Sequence, residues 1–343
     1  MMIRVHAIGE SSNGQLHDVA YIRLYDPLRI LQSDGRIVLT TGQDYKEYEN
    51  SDVFFIERTW NEAISNEHLY EFINYVKDTG KKFIYEIDDN LLDNKDISVS
   101  QKNAIRLMAK NADLIIVSTY ELKKRMSGLN PHIEVIPNFL STNYIGARRG
   151  KFCFNKQKIV IGYAGTFSHQ QDFQMIKLPL MQILKKFENE VLFEVIGVLT
   201  DKETLRTLPN VRVIELGEKS RYDKFWGWMC DNIYWDIGIA PLREDEFTKC
   251  KSDIKFLDYA ALGIAGIYSD HPAYLNTIAP EINGILVKNT CDAWFYGLEK
   301  LITNAELRYN IARNAQEELY ANRLLDNNAD RWWNAIKAVM SGK

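Results

Sequence analysis

The sequence predicts an α/β protein built from two doubly wound, Rossmann-like domains, and three observations lead there. Short apolar runs alternate with amphipathic helical stretches along most of the chain. That alternation breaks once, over Pro137–Gln157, in a stretch with a proline, two glycines, several basic residues and no clear period. At 343 residues the chain is also longer than one ordinary domain of about 100–200 residues.

In the first part the runs expected as strands are Ile3–Ile8, Arg36–Thr40, Asp52–Glu57, Lys82–Ile87, Asp113–Ser118 and Ile133–Ile136. Between two of them, Asn66–Thr79 spaces Leu69, Phe72, Ile73 and Val76 at helical intervals, and Gly80 supplies the stop. Strand, helix, strand in this rhythm implies parallel pairing with right-handed crossovers. After the break the rhythm restarts at Ile159–Ala164, Leu192–Gly197, Val211–Glu215, Asp236–Ala240, Ala265–Tyr268 and Gly284–Val287. From Thr303 the pattern is almost wholly helical, and Trp332, Trp333, Ile336 and Val339 give the last helix an apolar stripe. The expected organisation is residues 1–145 and 146–320 as two domains facing across a cleft, with 321–343 crossing back onto the first.

Composition narrows the function classes. Hydrophobic residues make up 46% and charged residues 26%, the balance of a globular protein rather than a disordered one. A formal net charge of −4 argues against wholesale nucleic-acid binding. The N-terminus has no charged segment followed by a long apolar run, and no stretch reaches a membrane span, so a cytoplasmic protein is expected. Cys153, Cys230, Cys250 and Cys291 are scattered without a Cys-x-x-Cys pair, which suggests reduced thiols rather than a disulfide or zinc framework.

The most informative element is Ile159–Asp172, an apolar strand running through Gly162, Gly165 and Thr166 to His169 and Asp172 at the start of a helix. Glycines there let a diphosphate approach the backbone, and a helix start offers unpaired N–H groups and a partial positive charge. Downstream, Lys251, Lys255, Asp258 and Leu262 fall at i, i+4, i+7 and i+11, the spacing of one helical face. Lysines there would neutralise phosphate, and Asp258 would hold sugar or ribose hydroxyls. The plain alternative is a surface ion pair between Asp258 and one of the lysines, contributing about 0.3–0.5 kcal/mol.

In the first half, Asp88 and Asp89 end a strand on the side where α/β sheets bind ligands. They would orient an acceptor hydroxyl or act as a base; a turn or helix cap suits the same residues. Arg23 and Arg58 are candidates for reaching phosphate, with a surface ion pair as the alternative. His6, near the end of the first strand, reads as hydrogen-bonded structure.

With these residues in view, the chain resembles the retaining GT-B glycosyltransferases (family 4-like, surface-polysaccharide subgroup) over most of residues 155–320. The resemblance rests on Gly162–Asp172, on Asp236–Leu242 with its Pro241, on Lys251–Gly263 with its Ser252, and on Asn283–Val287 followed by Trp294. In the first half it adds Tyr21–Leu28, Glu57-Arg58, Tyr85–Asp89 and Val135–Asn138. It implies a nucleotide diphosphate sugar as donor and a glycan or lipid-linked saccharide as acceptor, without metal or cofactor. It also implies retained anomeric configuration and a peripheral contact with the inner membrane surface. Lys251, Lys255 and Asp258 would be catalytic. Gly165, Thr166, His169, Asp172, Pro241 and Ser252 would bind the donor, and Asp88, Asp89, Arg23 and Arg58 would face the acceptor. Family members usually carry two glutamates separated by seven residues; Asp258 stands at the second position and Cys250 at the first, so the donor-sugar contact must differ here.

Other readings are a metal-dependent GT-A transferase using Asp88 and Asp89, a non-catalytic sugar-nucleotide-binding partner, and a sugar-nucleotide epimerase.

Overall fold

A computed structural model describes residues 2–12, 14–61, 64–145, 148–152, 157–166, 169–197 and 210–342. The chain divides into two compact units. The first comprises Met1–Ser141, Lys249–Ser252 and Leu324–Lys343; the second comprises Thr142–Thr248 and Asp253–Arg323.

Each unit is built on six parallel strands. In the first the order across the sheet is Ile37–Thr41, Ile3–Ile8, Val53–Glu57, Lys82–Ile87, Leu114–Val117, Ile133–Val135. In chain order this reads 2-1-3-4-5-6, so the direction of growth reverses between the first and third strands. In the second unit the order is Val211–Ile214, Val191–Gly197, Ile159–Gly165, Ile237–Ala240, Ala265–Ser269, Ile285–Val287, or 3-2-1-4-5-6. Its reversal lies between the first and fourth strands. Ligands of open α/β sheets bind at such reversals, outside the carboxyl ends of the strands. The expected strands are all present, with no end shifted by more than one residue. A two-stranded antiparallel hairpin, Ser11–Ser12 with Gln15–Leu16, was not anticipated.

Both faces of each sheet must be covered, and the cores show how. Phe54, Ile56, Tyr85 and Ile87 point to one face of the first sheet and pack on the helices Asn66–Asp78 and Val99–Asn111. The alternate residues Phe55, Ile84 and Ile116 point to the other, where Leu28, Leu31, Trp332 and Ile336 cover them. The helix Asp330–Ser341 therefore completes the core of the first unit, and its Trp332 donates Nε1–H to the Arg23 carbonyl at 3.1 Å.

His6 sits inside the first unit with Nδ1 2.9 Å from Thr40 Oγ1, its ring stacked 3.9 Å from that of Tyr48 and Nε2 without a partner. Burial drives its imidazole down to about 4. The unfolded chain takes up this proton as the pH falls through about 6.5, whereas the native chain resists until about 4, so stability is lost across that window. His6→Gln is expected to flatten the decline of Tm between pH 6.5 and 4. Superimposable calorimetric profiles for the two proteins would eliminate His6 as its source.

In the second unit, glycines stand side by side across three strands, Gly162 beside Gly238 and Gly238 beside Gly266. The space they leave is filled by rings. A Cβ on Gly162 would fall inside the Trp235 indole, one on Gly238 would lie 2.8 Å from Tyr259, and one on Gly266 would overlap Tyr268. Gly162 thus serves packing against Trp235, not the approach of a diphosphate that its place in the motif suggested. The helix Ile254–Leu262, which brings Tyr259 to this sheet, ends at Gly263 with φ 70°, a left-handed stop that glycine supplies without strain.

Candidate active site

In the second unit the reversal point joins the loops after Ile159–Gly165 and Ile237–Ala240. Asp172, in the first turn of the helix Gln170–Lys186, ties them together. Its Oδ2 lies 2.9 Å from His169 Nδ1, and its Oδ1 accepts from the Arg243 N–H at 3.0 Å. Asp172 is buried, while His169 stays partly open and Thr166 is exposed. Gly165 ends its strand against Gly197, whose φ of 102° and lack of a Cβ let the two backbones meet. Buried Pro241 and Leu242 follow the neighbouring strand, Leu242 N–H donating to Ser269 Oγ at 2.8 Å. This brings Gly165, Thr166, His169, Asp172 and Pro241 to one carboxyl edge; Phe167 and Ser168 lie outside the described residues.

The helix Ile254–Leu262 starts from that same edge of the sheet. Lys255 Nζ donates to Asp258 Oδ2 at 3.1 Å, and both side chains remain about one-fifth exposed. Burial lifts the Asp258 carboxyl above the usual aspartate range even against the Lys255 charge. The start of the helix is held by Asp253, which takes two bonds from Arg323 at 2.7 and 2.9 Å and one from Thr277 at 2.7 Å.

Lys251 and Ser252 are not on this helix. The residues before Ile254 are non-helical, and Lys249–Ser252 belongs to the first unit. Cys250 is buried in that unit's core, its thiol pushed up to about 12 by burial, and its carbonyl accepts from Thr119 Oγ1 at 2.9 Å. Ser252 Oγ accepts from Asn138 Nδ2 at 2.8 Å. Lys251 Nζ reaches Asp89 at 3.1 Å. The single helical face expected of Lys251, Lys255, Asp258 and Leu262 is therefore corrected: local packing of Cys250 outweighs helical spacing.

At the reversal point of the first unit, Glu10 follows the first strand and Arg58 the third. Arg58 Nε donates to Asp88 at 2.6 Å, and its Nη1 to Glu10 at 3.3 Å, with Asp89 3.7 Å from Nη2. Burial works against the Arg58 charge, but Asp88, Asp89 and Glu10 together hold it well above its ordinary value. Burial likewise pulls the Glu10 carboxyl upward, and His17, Arg58 and Thr59 outweigh it, bringing it to about 2. Arg58 has φ 49° and Trp60 φ 66°, left-handed conformations that cost side-chain-bearing residues on the order of 1–3 kcal/mol each. The turn is held by Arg58 N–H to the Glu86 carbonyl and Tyr85 OH to the Arg58 carbonyl, both at 2.8 Å.

Arg23 is elsewhere. It is 1% exposed, with Nε 2.5 Å from Glu86 Oε1 and Nη1 bonded to the Ile136 carbonyl and Asn138 Oδ1. Burial lifts the Glu86 carboxyl to about 7 in spite of this arginine. The acceptor-side role expected of Arg23 is replaced by a core ion pair, because the π-helical turn Tyr21–Tyr25 directs it inward. Among the described residues no group of three or more His, Cys, Asp or Glu side chains could hold a metal ion.

Solved structures share this arrangement of two Rossmann-like domains along their whole length. The Anabaena HepE protein in complex with UDP and glucose superposes with a TM-score of 0.67 at 11% identity, over 98% of this chain and 100% of that one. A glycosyltransferase from Rickettsia africae gives 0.69 at 13%, and the sucrose-phosphate synthase of Thermosynechococcus elongatus 0.70 at 10%, each covering 100% of both chains. The fold is GT-B. No protein-family model matches the chain, and no curated protein sequence does.

A GT-B fold overturns the GT-A reading of Asp88 and Asp89, whose carboxylates are engaged by Arg58 and Lys251. Glu10, His17, Arg243, Asp253 and Arg323 were not singled out from the sequence. Glu10 carried one usable signal, its position two residues beyond the first strand; the others depend on contacts between distant segments.

Proposed function

We propose that this GT-B protein is a glycosyltransferase that moves a sugar from a nucleotide diphosphate donor to a glycan or lipid-linked acceptor, with retention and without a metal. The observation that carries the reading is the carboxyl edge of the second sheet, where the Gly165–Asp172 turn and the Lys255–Asp258 pair start from the same side. The helix start after His169 offers a partial positive charge to the diphosphate. Lys255 adds a full one where negative charge grows as the glycosidic bond breaks. Its contact with Asp258 is partly exposed and one turn long, so an incoming phosphate displaces it at small cost. Asp258 then holds donor hydroxyls, and Asp172 keeps His169 and the Arg243 backbone in place around the site.

The test is a calorimetric and thermal-shift screen of UDP, GDP, dTDP, CDP and ADP with and without EDTA. One nucleotide is expected to bind in the presence of EDTA and to stabilise the protein by about 2.7 kcal/mol at one hundred times its Kd. Binding of none, or binding only with manganese, would count against the reading. Burial of Cys250, which stands where related enzymes carry a glutamate, favours a non-catalytic nucleotide-sugar binder as the second reading; donor binding without consumption would establish it.

A further inference from the structure

The sequence carries a basic run, Arg148-Arg149-Gly150-Lys151, that the carboxyl edge of the second sheet does not use. Its two arginines take separate places. Arg148 is buried, with Nη2 donating to the Ile233 carbonyl at 2.6 Å, and serves packing. Arg149 is exposed and lines a cavity of about 390 Å³ whose other wall is the helix Ala305–Asn322. Arg313, Gln316, Glu317 and Tyr320 fall at i, i+3, i+4 and i+7 on that helix and present one face to the cavity, to which Phe152 adds a ring. All of these residues belong to the second unit, on the amino side of its sheet. Gly263 ends the helix Ile254–Leu262 just before the strand Ala265–Ser269, and a Cβ there would meet the Lys151 carbonyl at 2.7 Å and the Phe152 ring at 3.1 Å. The Gly165–Asp172 turn lies at the opposite, carboxyl edge of the same sheet.

The two guanidinium groups are in place before any ligand arrives. Arg149 lies 4.7 Å from the centre of the Tyr320 ring, and the Tyr320 hydroxyl donates to the Ile145 carbonyl at 3.2 Å, so the ring that supports the cation is itself anchored. Among the described residues no acceptor meets the Arg149 N–H groups. Gln316, 4% exposed, closes the floor and ties the loop to the helix, its Oε1 accepting from the Gly150 N–H at 2.7 Å. Arg313 is held loosely, with Nε 3.7 Å from Glu317 Oε1 and Nη2 3.3 Å from Asn314 Oδ1, all on exposed surface. We propose that this cavity binds a phosphate monoester, at a second anion site separate from the carboxyl edge. One arginine fork occupies both oxygens of a carboxylate, whereas a phosphate monoester has three free oxygens and accepts from Arg149 and Arg313 together. The phosphate displaces Glu317 from Arg313 at little cost, because that pair is long and exposed, and the carbon body of the ester lies against Phe152. A free sugar phosphate and a phosphatidic acid headgroup offer the same chemistry.

The test titrates the full chain calorimetrically with glucose 6-phosphate and with glucuronate, and floats it with phosphatidylcholine vesicles made with and without phosphatidic acid. Binding to glucose 6-phosphate or to the phosphatidic acid vesicles is expected, and whichever binds names the source of the phosphate. Glucuronate is expected to bind at least about tenfold more weakly than the phosphate ester. Arg149→Gln and Arg313→Gln should each weaken the phosphate contact by about tenfold, and Glu317→Gln should strengthen it severalfold by removing the competing carboxylate. Lys255→Ala, at the other edge of the sheet, should leave it unchanged; a thermal melt checks the folding of each variant. Binding of neither phosphate, glucuronate binding as tightly as the ester, or binding that survives both arginine substitutions would overturn the proposal. Loss of binding in Lys255→Ala would also overturn it, by placing the phosphate at the carboxyl edge instead.

Discussion

Lys255→Ala is expected to lower kcat for sugar transfer by about 10²–10³-fold while changing the affinity for the free nucleotide much less. Preorganised charge at the leaving group contributes on that scale, because it acts where charge develops and is already in place. Among the described residues the ammonium group is held by Asp258, at 3.1 Å on a partly exposed surface, so the substitution removes little folding stability. A loss concentrated in kcat identifies a contact made mainly in the transition state, whereas a rise in KM alone would reduce Lys255 to a ground-state binding residue. The measurement is steady-state transfer with the nucleotide sugar that the binding screen selects. Unchanged turnover would remove Lys255 from the chemistry.

The largest effect on folding is expected from Gly162→Ala. The added methyl group has no room, since its position lies inside the Trp235 ring, and the indole cannot swing away freely while its N–H donates to Glu194 at 2.9 Å. Overpacking usually costs about 1–3 kcal/mol; with a central strand on one side and a fixed, buried ring on the other, the cost should reach or exceed the top of that range. Urea unfolding of the purified variant measures it. Trp235→Leu introduced alongside should restore part of the loss, giving a coupling that two independent sites would not show. If Gly162→Ala unfolds at the wild-type urea concentration, the packing account of the glycine row is wrong.

Much of this protein could be read before any tertiary contact was known. Period-two and period-3.6 patterns are local, so strand positions and the helical end of the chain follow from side-chain chemistry over a few residues. The turn after Ile159–Gly165 is also local: glycine, a small polar residue and a helix start are consecutive, and His169 and Asp172 meet within one turn. Lys255 and Asp258 were legible for the same reason, being one helical turn apart.

Where the evidence was periodicity alone, it failed once a short segment had a better partner elsewhere. Lys251 has the spacing to continue the Lys255 face, yet Cys250 beside it gains more by entering the first unit's core than a helical turn would provide. Arg23 looks like a surface cation until Glu86 and Asn138, more than sixty residues away in sequence, are brought against it. The amino-acid order by itself determined two parallel α/β sheets and a glycine-containing turn running into a helix start, because those rest on neighbours in the chain. Only the tertiary structure decided which charges are buried and which carboxylates gather around Arg58, because desolvation and ion pairing act between residues that the sequence keeps far apart.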